Sequence, residues 1–255
     1  MINLFSVAAF IAGAIAGSFF YTLALRYADG MVAGSPVRAL FSRSRCPGCG
    51  VTPAPLYLVP VLGWFFSLGR CRSCGMKIPL YYPLWEIIFG LMAVAVMRVH
   101  GSGPAALSIY LICCVSVCIG IVDFITMKIP DSLLLALLIF SLYPVTARGE
   151  YMDSLYGFLL LSVFFLIMLL LFPGAFRMGD LKYYAIAGIL LGLEQSVVLL
   201  EVSLVTGAVL GTVWGLARGG TLKQKIPFAP FISAALVITL LYGGRIALFY
   251  YDLMR

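Results

Sequence analysis

The segment FPGAFRMGDLKYY, residues 172–184, joins two long apolar runs and contains a single acidic residue, Asp180. Such runs dominate the chain. Hydrophobic residues make up 63% of its 255 residues, charged residues only 11%, and the mean hydropathy is +1.08. A water-soluble domain of this length would need more polar surface to cover its core. The composition therefore predicts a polytopic membrane protein, in which a carboxylate at the end of a span requires an explanation.

The apolar segments predict an all-α bundle of about eight transmembrane helices, since about 20 apolar residues cross a bilayer. None of them shows the alternating polarity of a β-barrel strand. The segments lie at about 2–25, 81–99, 104–122, 132–147, 154–173, 183–199, 201–217 and 228–250. Glu194 and Gln195 interrupt the run 183–217, where they mark either a turn between two spans or a polar site inside a helix.

The basic residues predict the orientation, because Lys and Arg are enriched in cytoplasmic loops. No basic residue precedes Arg26, whereas the first long loop, 26–80, is rich in them. We therefore expect the N-terminus outside the cytoplasm and this loop inside it. The net charge of +7 follows from this asymmetry and favours contact with anionic membrane lipid. No basic helix or aromatic-interleaved patch favours nucleic-acid binding. The basic residues of the loop are Arg26, Arg38, Arg43, Arg45, Arg70, Arg72 and Lys77.

Two CxxC pairs occupy the same loop, in the segments RCPGCG (45–50) and RCRSCG (70–75). Two such turns supply the four soft ligands of tetrahedral zinc, and Gly50 and Gly75 suit the tight turn after each pair. Two disulfides are the alternative, but a cytoplasmic loop faces a reducing compartment, which favours zinc. A site with four cysteines leaves no open position, so the predicted zinc is structural. The candidate ligands are Cys46, Cys49, Cys71 and Cys74.

Two acidic residues, Asp123 and Asp180, both fall at the cytoplasmic membrane face of the predicted topology. Two carboxylates that meet can share a proton, one acting as base toward water and the other as acid toward a scissile carbonyl. That arrangement is the chemistry of an aspartyl protease. The alternative is that each acid pairs with a nearby lysine, Asp123 with Lys128 and Asp180 with Lys182. The single histidine, His100, lies in a predicted outer loop and excludes a Ser-His triad at the inner face.

Several motifs in the same order resemble those of the bacterial type IV prepilin peptidases, which are GxGD-type intramembrane aspartyl proteases. The resemblance runs nearly end to end and includes the paired CxxC turns. The other matching segments are AGSFFYTLALR (16–26), VPVLGWFFSLGRC (59–71), YYPLWEIIFG (81–90), VDFITMKIPD (122–131), GDLK (179–182) and KIPFAPFISAA (225–235).

The resemblance implies that Asp123 and Asp180 are the catalytic aspartates of an enzyme of the bacterial inner membrane. Its substrates would be prepilins or type II secretion pseudopilins, cut at the cytoplasmic face between a basic leader and a hydrophobic helix. It also implies methylation of the new N-terminus with S-adenosylmethionine. The implied domains are a first transmembrane helix at 1–25, a zinc-binding loop domain at 26–80 and a transmembrane peptidase domain at 81–255.

Three motifs depart from the family pattern. GxGD reads Arg177-Met178-Gly179-Asp180, without the first glycine, and we expect cleavage to be retained with a changed local backbone. GSFxN reads Gly17-Ser18-Phe19-Phe20-Tyr21, with Tyr21 in place of asparagine, in the part linked to methylation. PFGPF reads Pro227-Phe228-Ala229-Pro230-Phe231.

Glu86 occupies the glutamate position of the family motif YPxxE, where one interpretation is a pairing with Arg26 or Lys77. Two other function classes remain as alternatives to the peptidase. One is a non-catalytic scaffold of a pilus or secretion machine, with the cysteine loop as its docking site. The other is a small transporter, which would need acids near the bilayer midplane instead of at the ends of spans.

Overall fold

The computed structural model describes residues 4–31, 42–172, 176–217 and 226–253. Arg38 of the first loop and Lys225 of the segment KIPFAPFISAA lie outside these ranges. Within them the long elements are all α-helices, and a single bridge joins Arg70 to Lys77. The helices are α1 (Leu4–Ala28), α2 (Leu62–Phe66), α3 (Tyr81–His100), α4 (Pro104–Thr126), α5 (Asp131–Arg148), α6 (Tyr151–Leu171), α7 (Met178–Leu191), α8 (Leu193–Ala217) and α9 (Ala229–Leu253).

The predicted all-α polytopic membrane fold is confirmed. In the described part of the chain, seven helices are long and apolar enough to cross a bilayer, namely α1, α3, α4, α5, α6, α8 and α9. The remaining candidate, α7, has 14 residues. At 1.5 Å per residue it extends about 21 Å, which is shorter than the roughly 30 Å hydrocarbon core.

The interrupted run 183–217 contains a turn, which is one of the two interpretations of its polar residues. The turn lies at residue 192, so the predicted bounds 183–199 and 201–217 are wrong. Gly192 separates α7 from α8 and has a φ of +77°, which side chains rarely adopt. A Cβ at this position would also collide with the carboxylate of Asp153. Asp153 Oδ1 accepts a 3.0 Å hydrogen bond from the backbone N–H of Leu193. Glu194 therefore lies in the first turn of α8, at the end of this span and not in its middle.

The chain forms two compact units, Met1–Ser102 and Gly103–Arg255. In the first unit α1 packs closely against α3. A Cβ on Gly17 would lie 2.7 Å from the Cβ of Phe89, and a Cβ on Gly90 would lie 2.7 Å from a ring carbon of Phe10. Glycine on both helices therefore permits the close approach that membrane helices use to gain packing contacts.

The second unit contains α4 to α9, and α4 lies at its centre. Ile112, Cys113 and Ile119 of α4 have no exposed surface. The backbones of α6 and α7 approach each other closely, because a Cβ on Gly157 would collide with the carbonyl oxygen of Gly188 and a Cβ on Gly188 would collide with that of Gly157. This contact fixes the position of α7, whose first turn carries Asp180.

Candidate active site

The two candidate acids line the same cavity, although distant parts of the chain supply them. Asp123 lies near the C-terminal end of α4, and Asp180 lies in the first turn of α7. The cavity has a volume of about 370 Å³. The residues are 2% and 5% exposed, respectively. Carboxylates this buried need partners, since an isolated charge is costly away from water.

Asp123 has partners from two other elements. Its Oδ2 accepts a 3.1 Å hydrogen bond from the backbone N–H of Ala229, the first residue of α9. The backbone of Phe228 interacts with the same carboxylate. On the other side, Oδ1 lies 3.6 Å from Nη1 of Arg177. A helix N-terminus and a guanidinium group therefore both stabilise negative charge on Asp123.

Asp180 is held by the segment that begins α7. Its Oδ2 accepts a 3.0 Å hydrogen bond from the backbone N–H of Arg177, the residue immediately before the helix. This bond is one half of a capping box, and it fixes the carboxylate at the N-terminus of the helix. Gly179 allows the approach of α7 to the loop after α4, because a Cβ there would lie only 3.0 Å from the Cβ of Ile129.

Among the described residues, neither nearby lysine forms the ion pair that the lysine-pairing alternative requires. Lys182 Nζ lies 2.7 Å from Oδ1 of Asp131, in an exposed ion pair. Within the described ranges, the cation that lies within 4 Å of Asp123 is Arg177. Sequence reasoning missed this contact. The available signal was an arginine at the first position of the four-residue segment that ends in Asp180.

A buried network of hydroxyl groups connects the three helices whose ends form the site. The Tyr183 hydroxyl lies 2.5 Å from Oγ of Ser116 and 3.0 Å from Oγ of Ser233. Ser233 also donates a 2.6 Å hydrogen bond to the carbonyl oxygen of Ser116. Ser116 precedes Asp123 by two turns of α4, and Tyr183 follows Asp180 by about one turn of α7. The network therefore holds α4, α7 and α9 in a fixed relation just beyond the cavity.

An aromatic cluster packs beside the same helix ends. The ring of Phe165 stacks on that of Tyr184 with centroids 3.7 Å apart. The rings of Phe176 and Phe228 meet edge to face at 5.2 Å. Phe176 directly precedes Arg177, and Phe228 directly precedes Ala229, whose N–H donates to Asp123. This packing therefore restrains both segments that contact the carboxylates.

The four loop cysteines form a second candidate site. Their Sγ atoms all lie within 4.8 Å of one another, with Cys46 and Cys74 at 3.7 Å and Cys49 and Cys71 at 3.9 Å. Four zinc–sulfur bonds of 2.3 Å in a tetrahedron place the sulfurs about 3.8 Å apart, so the donor set fits zinc. These separations are far longer than the S–S bond of about 2.05 Å that the disulfide alternative requires. All seven cysteines are free.

The two CxxC turns have the same backbone hydrogen bonds. The N–H of Gly50 donates to the carbonyl oxygen of Cys46, and the N–H of Gly75 donates to that of Cys71, both at 2.8 Å. Gly50 and Gly75 have φ values of +70° and +74°. The predicted glycine turns are therefore present in both halves of the cluster.

The thiols differ in how readily they ionise. Backbone N–H groups of Cys74 and Ser73 lower the pKa of the Cys71 thiol to about 6. The N–H of Met76 also lowers the pKa of the Cys74 thiol, but desolvation and the neighbouring thiols outweigh it and raise that pKa to about 12. One thiolate is thus favoured and further ionisation is opposed. A divalent cation would remove that opposition, since thiolates are the form that binds metal.

Glu86 has a different partner from the two cations considered for it. Its Oε2 accepts a 2.6 Å hydrogen bond from the backbone N–H of Val61, which directly precedes α2. Val61 has a φ of +63°, a conformation rarely adopted by a β-branched residue. Arg26 donates instead to the carbonyl oxygen of Ser42 at 2.7 Å. Glu86 therefore ties α3 to the loop that carries the cysteines.

Tyr21, which replaces the asparagine of the family motif, is a packing residue between α1 and α3. Its ring lies 5.0 Å from that of Tyr82, edge to face, and 6.1 Å from that of Trp85. It is 6% exposed. This substitution therefore adds buried aromatic surface to the contact between the two helices.

Comparisons with known proteins cover nearly the whole chain. Residues 11–99 match the model of the bacterial peptidase A24 N-terminal domain, and residues 109–216 match that of the type IV leader peptidase family. The chain is 32% identical over 256 residues to a prepilin leader peptidase/N-methyltransferase of Bacillus subtilis (strain 168), covering 94% of this chain and 96% of that relative.

Relatives from other bacteria have the same printed name. The chain is 32% identical over 222 residues to the prepilin leader peptidase/N-methyltransferase of Aeromonas hydrophila, covering 84% of this chain and 77% of the relative. It is 30% identical over 218 residues to that of Dichelobacter nodosus, covering 81% and 73%. No solved structure matches the chain significantly.

Proposed function

The chain belongs to the type IV leader peptidase family, and on that premise we propose that it removes the leader peptide from prepilins or type II secretion pseudopilins. We further propose that it methylates the new N-terminus with S-adenosylmethionine, as the names of its relatives indicate. The observation that carries the peptidase proposal is the pair Asp123 and Asp180, two buried acids on different helices that line one cavity.

The proposed cleavage uses the two acids as a dyad that shares one proton. The ionised carboxylate takes a proton from a water molecule as the water oxygen attacks the scissile carbonyl carbon. The protonated carboxyl gives its proton to the carbonyl oxygen. The C–N bond then breaks, and the departing amine takes up the proton held by the first carboxylate. As the carbonyl group re-forms, one hydroxyl of the tetrahedral intermediate returns its proton to the second carboxylate, which restores the shared proton of the dyad. Burial supports this scheme, because two adjacent carboxylates away from water do not both ionise readily.

We place the site at the cytoplasmic face of the bacterial inner membrane. Lys128 and Arg177 line the cavity, and Lys182 lies one turn or less from Asp180. Such cations are enriched on the cytoplasmic side of membrane proteins. The N-terminus is then outside, and the loop 26–80 is cytoplasmic.

We propose that the chain consists of three domains with different roles. We assign 1–25 to the first transmembrane segment, 26–80 to the cytoplasmic loop domain and 81–255 to the transmembrane peptidase domain. Zinc on the four cysteines would stabilise the loop, which is too small to fold around a core of its own. All four donors belong to the protein, so the metal would have no open position for a catalytic water.

The test is cleavage of a detergent-solubilised prepilin by the purified wild type, Asp123→Asn and Asp180→Asn. Asp131→Asn is the matched control, because Asp131 is exposed and pairs with Lys182 outside the cavity lining. We expect cleavage by the wild type and the control and none by the two dyad variants, with equal thermal unfolding. Cleavage retained by either dyad variant would refute the role of that residue. A wild type inactive on several prepilins would favour the scaffold alternative.

A further inference from the structure

Arg177 extends from the start of α7 into the cavity that contains both acids. Its Nη1 lies 3.6 Å from Oδ1 of Asp123 and also donates to the carbonyl oxygen of Met127, while its Nη2 lies 3.4 Å from the sulfur of Met127. The Arg177 side chain is 37% exposed and that of Asp123 only 3%. A cation in contact with solvent thus lies against a buried anion.

The two acids differ in their electrostatic surroundings. Asp123 has both this guanidinium group and the N–H of Ala229. Asp180 has the N–H of Arg177, but in the described part of the chain no cation forms an ion pair with it within 4 Å. Since a nearby positive charge favours the ionised form of a carboxyl group, negative charge is stabilised more strongly on Asp123 than on Asp180.

We propose that Arg177 keeps Asp123 ionised, so that Asp123 is the base that takes the proton of water and Asp180 is the acid that protonates the scissile carbonyl oxygen. This inference rests on the proposed peptidase function and assigns the two roles within the dyad. Arg177 acts through Asp123 and is therefore a positioning residue. Protons pass from water to Asp123, from Asp180 to the carbonyl oxygen, from Asp123 to the leaving amine, and from a hydroxyl of the tetrahedral intermediate back to Asp180.

A purely structural role for Arg177 predicts different behaviour. Met127 follows the last residue of α4 with a φ of +54°, and the carbonyl groups at a helix end lack partners within the helix. The guanidinium group supplies such a partner. If that bond were the whole role of Arg177, a neutral hydrogen-bond donor at position 177 would be sufficient to preserve the pH dependence of cleavage. Glutamine supplies a neutral donor, and lysine supplies a charged one.

The experiment is the pH dependence of kcat/KM for prepilin cleavage by the wild type, Arg177→Gln, Arg177→Lys and Lys182→Gln. The charged groups that line the cavity with Asp123 are Asp180, Arg177 and Lys128, and α9 contributes a backbone N–H. Loss of the cation should make Asp123 easier to protonate. We expect the acidic limb of the profile to move upward by about one pH unit in Arg177→Gln and to stay near the wild-type position in Arg177→Lys.

Lys182→Gln is the control for general charge removal. It deletes a cation two residues from Asp180, but that cation is paired with Asp131 at 2.7 Å, so the acidic limb should not move. An unmoved limb in Arg177→Gln, with activity lowered or raised equally at every pH, would overturn the inference and leave a structural or obstructing role. A shift of the acidic limb in Lys182→Gln equal to that in Arg177→Gln would also overturn the inference. If the wild type cleaves no prepilin at any pH, the proposed function itself fails, and the role assignment fails with it.

Discussion

The backbone N–H of Ala229 donates a 3.1 Å hydrogen bond to Oδ2 of Asp123, across 106 residues of sequence. Ala229 is the first residue of α9, where backbone N–H groups have no acceptor within the helix. Asp180 is bonded in a similar way, by the N–H of Arg177 at the start of α7. Each acid therefore accepts a bond from the beginning of a helix, where the helix dipole also favours negative charge.

Ala229→Pro should remove the N–H donor of Asp123 and leave the helix intact, because proline is well tolerated at the first position of a helix. A hydrogen bond to a charged group contributes about 1.5–3 kcal/mol, so we expect a loss of about 10- to 100-fold in kcat/KM for prepilin cleavage. Ala229→Gly retains the N–H and is the control. Equal losses of kcat/KM in the two variants would show that the hydrogen bond from residue 229 does not contribute to cleavage.

The membrane helices were predictable because a span requires a long apolar run whatever it packs against. The boundary between α7 and α8 was not predictable, since apolar residues continue on both sides of Gly192. That turn depends on Asp153 at the start of α6, which accepts the N–H of Leu193. Sequence spacing does not reveal such a contact. The turn that this contact stabilises ends α7 early, which is why α7 is short.

The family could be recognised from several motifs in a fixed order, and the comparisons confirm that prediction. The candidate site was predictable in its principal residues, because Asp123 and Asp180 are among the few acids beside apolar runs. Their catalytic roles and the zinc-binding role of the cysteines stay predictions. The contacts of Arg177 and Glu86 could not be predicted, since both depend on which segments meet in space.

Gly188→Ala should destabilise the second unit and reduce cleavage. The added methyl group would collide with the backbone of Gly157, so α6 and α7 would have to separate and Asp180 would move with α7. Overpacking of this kind costs about 1–3 kcal/mol. Gly244→Ala is the control, because a Cβ there meets no atom within 4 Å and alanine favours helix. Thermal unfolding in detergent measures the stability of both variants. A Gly188→Ala variant as stable as the wild type would contradict the packing.

Zinc should be present at one ion per chain and should be lost when any one cysteine of the cluster is removed. In Cys71→Ser, the hydroxyl is a poor zinc ligand and three thiols remain. We expect the zinc content, measured by mass spectrometry of the digested protein, to fall to near zero and proteolysis of the loop to increase. Cys118→Ala alters a buried cysteine of α4 and should keep its zinc. Equal zinc in Cys71→Ser and the wild type would refute the site.

Glu86→Ala should destabilise the loop that carries the cysteines, because the buried carboxylate is the acceptor for the backbone N–H of Val61. Leaving that N–H without a partner costs about 1–3 kcal/mol, whereas Glu86→Gln retains an acceptor oxygen and should cost less. Limited proteolysis of the zinc-loaded protein, together with thermal unfolding, measures the effect.

Val61→Gly provides a second arm of the same test. Valine at a φ of +63° is strained by about 1–3 kcal/mol, and glycine adopts that conformation freely. Because Glu86 helps to hold the strained residue in place, Val61→Gly should restore part of the stability lost in Glu86→Ala, and the effects of the two substitutions should not be additive. Strictly additive effects would mean that Glu86 stabilises the protein through contacts other than the one with Val61.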